Sequence, residues 1–323
     1  MTPLLGAEKA LLSILQTEFP LVDEPYAEIG RRLEISAAEV IELIAGLKMM
    51  GIVRQIGPVI DARRLGFQST LVAASIPAAN LARAEQVIAA HPGVSHGYER
   101  DHSLNVWFTL SVPAGRSIDA ELAVLKTVTG ADDMVSLPAL KVYKIGAYFD
   151  VEWGVPAPGR GPVLSRPPTL AAEDRAVVNA LQQDLPLTDK PFAGMAAQAG
   201  ISTGEFLSIA RRLIEIGVVR RYSASINHRQ AGFTANAMTC WHVLPLVLDS
   251  VGETLAGFGE VSHCYERQTA PQWPYNLFAM IHGRTREETA QTAARAAQEA
   301  GLGAGLLLFS THEFKKTRVV YHL

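Results

Sequence analysis

Apolar side chains recur three and four positions apart at the start of each half of the chain, the spacing of one helix face. The third helix of each half opens with a Ser followed three residues later by a Glu, a capping-box pattern seen at Ser36 and Ser202. These helices are expected to end at Gly51 and Gly217. The predicted helices are 7–18, 26–33 and 36–50, with 170–183, 192–199 and a helix opening at 202 in the second half.

Short β-type segments come directly after these helices. They lie at 52–56 and 59–61, and at 218–222 and 224–227 in the second half. Three helices followed by a two-stranded wing are typical of a winged helix-turn-helix unit. Each half is therefore predicted to begin with such a unit.

Strand and helix periods alternate through the remainder of each half. The first half has strands at 69–76, 94–100, 105–112 and 134–148 and helices at 81–90 and 118–128. The second has strands at 234–243, 261–267, 276–282 and 306–314, and helices at 246–257 and after the capping box at 285–288. This βαββαβ order predicts a ferredoxin-like fold.

Sequence motifs repeat as well as elements. The segment Gly-Ile-Val-Arg at 51–54 returns as Gly-Val-Val-Arg at 217–220, and His-x-Tyr-Glu-Arg begins at His96 and again at His263. The period is too long for a solenoid unit, so it indicates two fused homologous halves.

Proline and glycine are dense between the two halves, which predicts a linker at 153–168. The fold class is therefore α+β, a tandem repeat of winged helix-turn-helix and ferredoxin-like domains. The predicted domains are 1–62 and 63–152 before the linker, and 169–228 and 229–323 after it.

Composition narrows the class of protein. The formal charge of −3 gives no support to a strong nucleic-acid binder, whose contact surface is usually basic. Two cysteines, Cys240 and Cys264, cannot make a disulfide framework and fit no zinc pattern. No segment has the pattern of a signal peptide or a membrane span, so we expect a cytoplasmic protein without membrane contact.

Polar side chains line one face of two predicted strands. His96, Tyr98 and Arg100 occupy alternate positions and therefore point to the same side of a sheet. The second half repeats the row with His263, Tyr265 and Arg267. By the parity of their apolar neighbours, the next strands add Asn105, Trp107, Asn276, Phe278 and His282 to the same face. This open face needs a cover, and we expect the other half's sheet to supply it, leaving a flat cavity between them.

The domain order resembles the Lrp/AsnC transcription regulators across each half, and more closely the siroheme decarboxylases, which are similar to fused or paired chains of that type. The segments that carry the resemblance are 217–222, 66–67, 232–233, 262–267, 273–284 and 96–107. The fused two-domain form is similar to the version used in heme d1 biosynthesis.

The resemblance implies an activity. Members of that family remove carbon dioxide from the acetate side chains at C12 and C18 of siroheme, giving didecarboxysiroheme, without an added organic cofactor. The substrate itself carries iron. The resemblance also implies siroheme as the partner, together with homologous decarboxylase subunits or self-association.

The resemblance also implies the site residues. An iron tetrapyrrole rich in carboxylates calls for Arg clamps and aromatic walls. The implied substrate-binding residues are Arg54, Tyr98, Arg100, Asn105, Trp107, Arg220, Arg221, Tyr222, Tyr265, Arg267, Trp273, Tyr275, Asn276 and Arg284. Histidine suits proton transfer near neutral pH and could instead ligate the substrate iron. The candidates for catalysis are His96, His102, His263 and His282.

The two halves are not equal. The first lacks the Trp-Pro-Tyr segment that begins at Trp273, and the second lacks an equivalent of His102. One half could be catalytic and the other structural. The assignment of proton donor and iron ligand among the four histidines stays open, and Trp107 and Phe278 could equally be packing between the sheets.

The rival hypothesis is a DNA-binding regulator with a ligand-sensing domain. Residues 22–54 carry four basic against six acidic side chains, a local charge of −2, which phosphates would repel. The sequence therefore disfavours nucleic acid as a partner. A tetrapyrrole carrier without catalysis cannot be separated from a decarboxylase by sequence.

Overall fold

The computed structural model of this chain describes residues 6–17, 19–145, 168–226, 235–321 and 323. The predicted linker, apart from Pro168, lies outside the described residues, as do 146–148 of the predicted strand at 134–148. No described helix is long and apolar enough to cross a bilayer.

Three helices open each half, as predicted. They are α1 (Gly6–Thr17), α2 (Pro25–Leu33) and α3 (Ala37–Met49), and, in the second half, α6 (Ala172–Leu181), α7 (Pro191–Gln198) and α8 (Thr203–Glu215). Both predicted capping boxes are confirmed: Ser36 and Ser202 each accept a hydrogen bond from the third amide, whose Glu carboxylate accepts from the Ser amide. Gly51 and Gly217 follow with positive φ values of 69° and 71°, which glycine adopts without strain.

The predicted two-stranded wing is wrong in its pairing. Among the described residues each half contributes one strand, β1 (Val53–Ile60) and β7 (Val219–Ile226), and these pair antiparallel with each other. Gly57 and Pro58, which separate the two predicted segments, lie inside β1, because proline is tolerated on an edge strand and both strands of a ribbon are edges. The ribbon fuses the two helical units into one core, in which Tyr222 packs between the rings of Phe19 and Phe192.

The second part of each half has the predicted βαββαβ order. The first comprises β2 (Gln68–Ser75), α4 (Leu81–Ala90), β3 (Val94–Arg100), β4 (Val106–Val112), α5 (Ile118–Thr129) and β5 (Asp133–Leu137). The second comprises β8 (Ala235–Trp241), α9 (Pro245–Gly257), β9 (Val261–Arg267), β10 (Leu277–Gly283), α10 (Arg286–Glu299) and β11 (Leu306–Lys316). The predicted fold class is confirmed.

The halves exchange strands. The single strand predicted at 134–148 is divided at Pro138, and its second part, β6 (Ala139–Ile145), leaves its own half to pair with β9. Proline has no amide hydrogen to continue a ladder, which accounts for the break. In return β11 pairs with β8 at its beginning and with β3 at its end. The resulting strand order is β5-β2-β4-β3-β11-β8-β10-β9-β6.

Each sheet covers the open face of the other, as expected from the sequence. A buried cluster draws on both halves, including Trp107, Trp273, Phe278, Met238 and Leu308. Val106, Phe108 and Leu110 face the helices instead, as their parity predicted. Trp107 and Phe278 therefore pack between the sheets, one of the two alternatives that the sequence left open, and a role of Trp107 in substrate binding stays a prediction. Each exposes 2% of its surface or less.

Removing the central indole should destabilise the whole chain. Trp107→Ala takes away a side chain that is 1% exposed and contacts Trp273 with ring centroids 4.9 Å apart. We expect a loss of about 3 to 5 kcal/mol in the free energy of unfolding, measured by denaturant titration. Val124→Ala, at an exposed position of α5, should change it by less than about 0.5 kcal/mol. Equal stabilities of the two variants would contradict a packed centre.

Candidate active site

The two His-x-Tyr-x-Arg rows lie on equivalent strands, β3 and β9. In each row the histidine ring stacks on the tyrosine ring, with centroids 6.4 Å apart for His96 and Tyr98 and 6.0 Å apart for His263 and Tyr265. The guanidinium of the row lies over the tyrosine, at 5.5 Å for Arg100. Cys264, at the other parity, donates from its thiol to the Gly252 carbonyl of α9. The prediction that the rows face away from the helices is therefore confirmed.

The two rows meet. The pKa of His263 is lowered to about 3, first by burial and then by the charges of His282, His96, Arg221 and Arg267. The imidazoles of His96 and His263 are therefore close enough for the charge of one to act on the other. Histidines that are 167 positions apart in sequence are thus neighbours in the folded chain.

Strand exchange brings charged side chains to His96. Lys316 on β11 is the register partner of His96, and Glu313 is the partner of Tyr98. Burial and the charge of Lys316 lower the pKa of His96 to about 4, with Glu313 opposing and Arg54 adding to the effect. Arg54, on β1, donates to a Glu313 carboxylate oxygen at 3.1 Å and to the Lys316 carbonyl at 3.2 Å. The ribbon of β1 and β7 therefore borders the site.

The second half presents a different environment to its histidine. The register partners of His263 and Tyr265 on β6 are Ile145 and Val142, which are apolar. The pKa of Tyr265 is raised by burial, while the charges of Arg267, Arg220 and Arg63 oppose the shift. Guanidinium groups therefore surround the second row on the side of β7 and the loop after β1.

A chain of hydrogen bonds runs from β8 to His263. Asn236 Oδ1 lies 2.5 Å from His282 Nδ1, His282 Nε2 lies 2.6 Å from Ser262 Oγ, and Ser262 Oγ lies 2.8 Å from His263 Nδ1. Ser262 and His282 are buried. Burial and the charge of Lys316 lower the pKa of His282 to about 3, so its imidazole is neutral at physiological pH.

Known proteins match this chain over nearly its whole length. A family model described as the siroheme decarboxylase NirDL-like HTH domain matches residues 8–54 and 174–220. A model of the AsnC-like ligand binding domain matches 64–144 and 230–315. A siroheme decarboxylase of Hydrogenobacter thermophilus is 37% identical over 312 residues, covering 96% of this chain and 93% of that protein. The chain belongs to the siroheme decarboxylase family.

Two further relatives bear on the site of this family member. A crystal structure of the siroheme decarboxylase NirDL in co-complex with an iron-uroporphyrin III analogue superposes with a TM-score of 0.74 at 34% identity, covering 98% of this chain and 95% of that one. A siroheme decarboxylase beta subunit of Methanosarcina barkeri is 43% identical over 146 residues, 45% of this chain and 96% of that protein. One such subunit thus corresponds to half of this chain.

Several residues that the family resemblance implied bind backbone groups of other elements of the fold. Arg100 donates to the Leu308 carbonyl at 2.7 Å and Arg267 to the Leu137 carbonyl at 2.9 Å. Asn105 bonds through its side-chain amide to both backbone groups of Ile76. Asn276 bonds in the same way to Val243. These contacts give the four side chains structural roles, and their roles in substrate binding stay predictions.

Other implied residues lie in the turn after β3, before β10, in the helical core and after β10. The ring of His102, in the turn after β3, lies 5.5 Å from that of Trp273, which also contacts Tyr275 at 5.0 Å. His102, which has no equivalent in the second half, therefore contacts the Trp-Pro-Tyr segment, which has no equivalent in the first. Tyr222 is buried in the helical core, and Arg284 is exposed just after β10. The roles of these residues in catalysis and substrate binding stay predictions.

Sequence reasoning missed Lys316 and Glu313. They come from the last strand of the other half, so no local pattern places them beside His96. The charge of Arg63 lowers the pKa of Tyr265. Arg63 belongs to a repeated segment of the sequence, but nothing in that segment shows that it lies near Tyr265. Lys316 and Glu313 could have been placed beside His96 only if the strand exchange had been known.

The charge of Lys316 can be tested on His96 directly. Lys316→Met should raise the pKa of His96 from about 4, because a nearby cation disfavours the imidazolium. The shift can be followed by NMR titration with labelled histidine. Lys315→Met is the matched control, since Lys315 bonds to the His91 carbonyl instead. A pKa of His96 that is unchanged in Lys316→Met would contradict the register of β11 against β3.

Proposed function

We propose that this chain is a carboxy-lyase that removes carbon dioxide from the acetate side chains at C12 and C18 of siroheme, giving didecarboxysiroheme for heme d1 or alternative heme biosynthesis. The observation that carries the proposal is the meeting of two imidazole rows among guanidinium and ammonium groups. The siroheme decarboxylases that match this chain over nearly its whole length support decarboxylation of siroheme.

Charge complementarity supports a polycarboxylate macrocycle as the substrate. Arg54, Arg220, Arg221 and Lys316 come from three strands around the histidines. Arg54 pairs with Glu313, Arg220 pairs with Asp61, and Arg221 donates to the Ser223 hydroxyl. Substrate carboxylates can compete for such cations, and Arg binds them with paired hydrogen bonds.

Substrate binding would also change the histidines. In the structure, burial and neighbouring cations favour neutral imidazoles, as the lowered pKa values of His96 and His263 show. Carboxylates of a bound tetrapyrrole would offset those cations and raise the pKa values toward the range useful for acid catalysis. The site would therefore become able to donate protons when the substrate is present.

The reaction requires one proton for each carboxylate lost. The bond between the acetate methylene and its carboxylate breaks, carbon dioxide leaves, and the electron pair remains on the methylene carbon. Protonating the pyrrole carbon next to it would provide an electron sink, and a proton must finally reach the new methyl group. A histidine whose pKa lies near neutral pH is suited to this transfer. The substrate supplies its own iron, and we propose no added organic cofactor.

The fused chain also bears on partners. Because a related beta subunit corresponds to one half, the two halves occupy the places of two subunits. We propose that this chain builds its histidine site without a companion subunit, although homologous subunits or self-association stay predictions. The cytoplasmic location expected from the sequence also stays a prediction.

A DNA-binding role has weaker support. Arg31 and Arg32 pair with Glu28 of their own helix, and Arg212 pairs with Asp174. Arg211 donates to the Leu21 carbonyl. These contacts occupy guanidinium groups of the helix-turn-helix units that phosphates would need.

The direct test is anaerobic incubation of the purified protein with siroheme, followed by mass spectrometry of the tetrapyrrole. We expect loss of carbon dioxide from the acetate side chains, and loss of turnover in the double variant His96→Ala, His263→Ala. His242→Ala, at an exposed position, is the matched control and should retain activity. Unchanged siroheme, together with a salt-dependent shift of promoter DNA, would favour the regulator. Full activity of the double variant would refute the site assignment.

A further inference from the structure

Three side chains of the types that bind metal ions meet on the helix side of the sheet, away from the candidate active site. Glu85 is on α4, Glu99 on β3 and His312 on β11. One donor atom from each lies within 4.8 Å of the other two. His312 Nδ1 is 2.9 Å from a Glu85 carboxylate oxygen and 4.0 Å from a Glu99 carboxylate oxygen. The strand exchange therefore assembles one nitrogen and two oxygen donors from both halves of the chain.

The two carboxyl groups of this cluster have no permanent cation beside them. Glu85 and Glu99 approach closely enough to share a hydrogen bond, and burial and then this contact raise the pKa of Glu99. Within the described part of the chain, neither forms an ion pair with a lysine or an arginine. His312 carries a charge only when it is protonated. Two partly buried carboxylates at this distance need a shared proton or a cation between them.

The second half has a lysine at the place of His312. Lys141 is the register partner of Glu266 on β9, as His312 is the register partner of Glu99 on β3. The Lys141 ammonium pairs with a carboxylate oxygen of Asp249, on α9, at 2.6 Å. A permanent cation is thus part of the second half, whereas the first half has an imidazole in its place.

The second half has a glycine at the place of Glu85. Gly252 and Glu85 lie at the same distance in sequence before the next strand, which begins at Val261 or Val94. A Cβ atom at Gly252 would lie 2.5 Å from the ring of Tyr143, so a carboxylate does not fit there. The first half thus has a carboxylate and an imidazole at the positions where the second half has a glycine and a lysine.

We propose that Glu85, Glu99 and His312 bind a divalent transition-metal ion with the ligand preferences of zinc, and that water completes its coordination. Zinc takes imidazole nitrogen and carboxylate oxygen at about 2.0 to 2.2 Å. Ligand atoms around a tetrahedral ion at that distance are about 3.4 Å apart. This value lies between the two separations measured from His312 Nδ1. The half-exposed His312 ring gives an ion access from solvent.

The ion joins the two halves of the chain. The strand β11 belongs to the second half, and α4 and β3 belong to the first, so the three ligands tie an exchanged strand to the sheet that receives it. Because the ligands come together only in the folded chain, binding of the ion stabilises the fold and the strand exchange. On β3, Glu99 alternates with the row of His96 and Tyr98, so the ion lies on the opposite face of the sheet from that row.

The test uses zinc chloride and the full-length chain without a histidine tag. Isothermal titration should show one equivalent of zinc whose affinity falls at least about 100-fold in His312→Ala, because even groups that only support a metal ligand contribute about 10- to 100-fold. Glu85→Gln should have the same effect. His242→Ala removes an exposed histidine outside the cluster and should bind zinc as the wild type does. The double variant His96→Ala, His263→Ala should also keep this equivalent, which distinguishes the site from the paired histidines.

The lysine of the second half suggests a variant that keeps the fold. His312→Lys copies Lys141, so its ammonium takes the place of the ion, and we expect it to melt no lower than the zinc-free wild type. Zinc at about 100 times its dissociation constant should raise the melting temperature of the wild type by on the order of 5 °C and leave that of His312→Lys unchanged.

Three results would overturn the proposal. The first is a wild type that binds no zinc, which would leave only a hydrogen-bonded carboxyl pair at the cluster. The second is equal zinc affinity in His312→Ala and wild type. The third is a melting temperature of His312→Lys that rises with zinc as much as that of the wild type.

Discussion

The backbone pairing of β11 with β3 and of β6 with β9 is the constraint on which the rest of this structure depends. Each half gives its last strand to the other, so neither sheet is complete without its partner. The exchange carries Lys316 and Glu313 to the first histidine row and Ile145 and Val142 to the second. The chemistry of each row is therefore decided by residues from the opposite half of the chain.

The arrangement explains how a duplicated scaffold can hold one asymmetric site. Two identical chains paired in this way would present identical rows to each other. Fusion into one chain allows each position to diverge separately, as at Ser111 and His282, or at Lys316 and Ile145. The fold supplies the symmetry that brings the imidazoles together, and the sequence differences then allow the two rings to take separate roles.

Local patterns in the sequence predicted what local physics determines. The capping boxes at Ser36 and Ser202, the glycines that end the third helices, and the alternation in β3, β4, β9 and β10 all depend on neighbours within a few residues. They were confirmed because backbone geometry acts over that range. The direction in which His96 and His263 point also follows from this alternation.

Long-range pairing could not be predicted in the same way. Each half was predicted to form its own two-stranded wing, yet the strand that pairs with β1 is β7, which begins 166 positions later in the chain. The hydrogen bonds of Arg100 and Arg267 to backbone carbonyls of the opposite half, and the burial of Tyr222, also depend on distant contacts. The packing of Trp107 against residues of the opposing sheet could not be predicted from its neighbours in the sequence.

The central claim is that the two halves build one site, and the stoichiometry of tetrapyrrole binding tests it most directly. Anaerobic titration of the full-length protein with siroheme, followed by absorbance, should reach saturation at one macrocycle per chain. Because His96 and His263 share that site, either single alanine variant should alter the binding of the same molecule. Saturation at two independent macrocycles per chain, each sensitive to only one of the two histidines, would contradict the account.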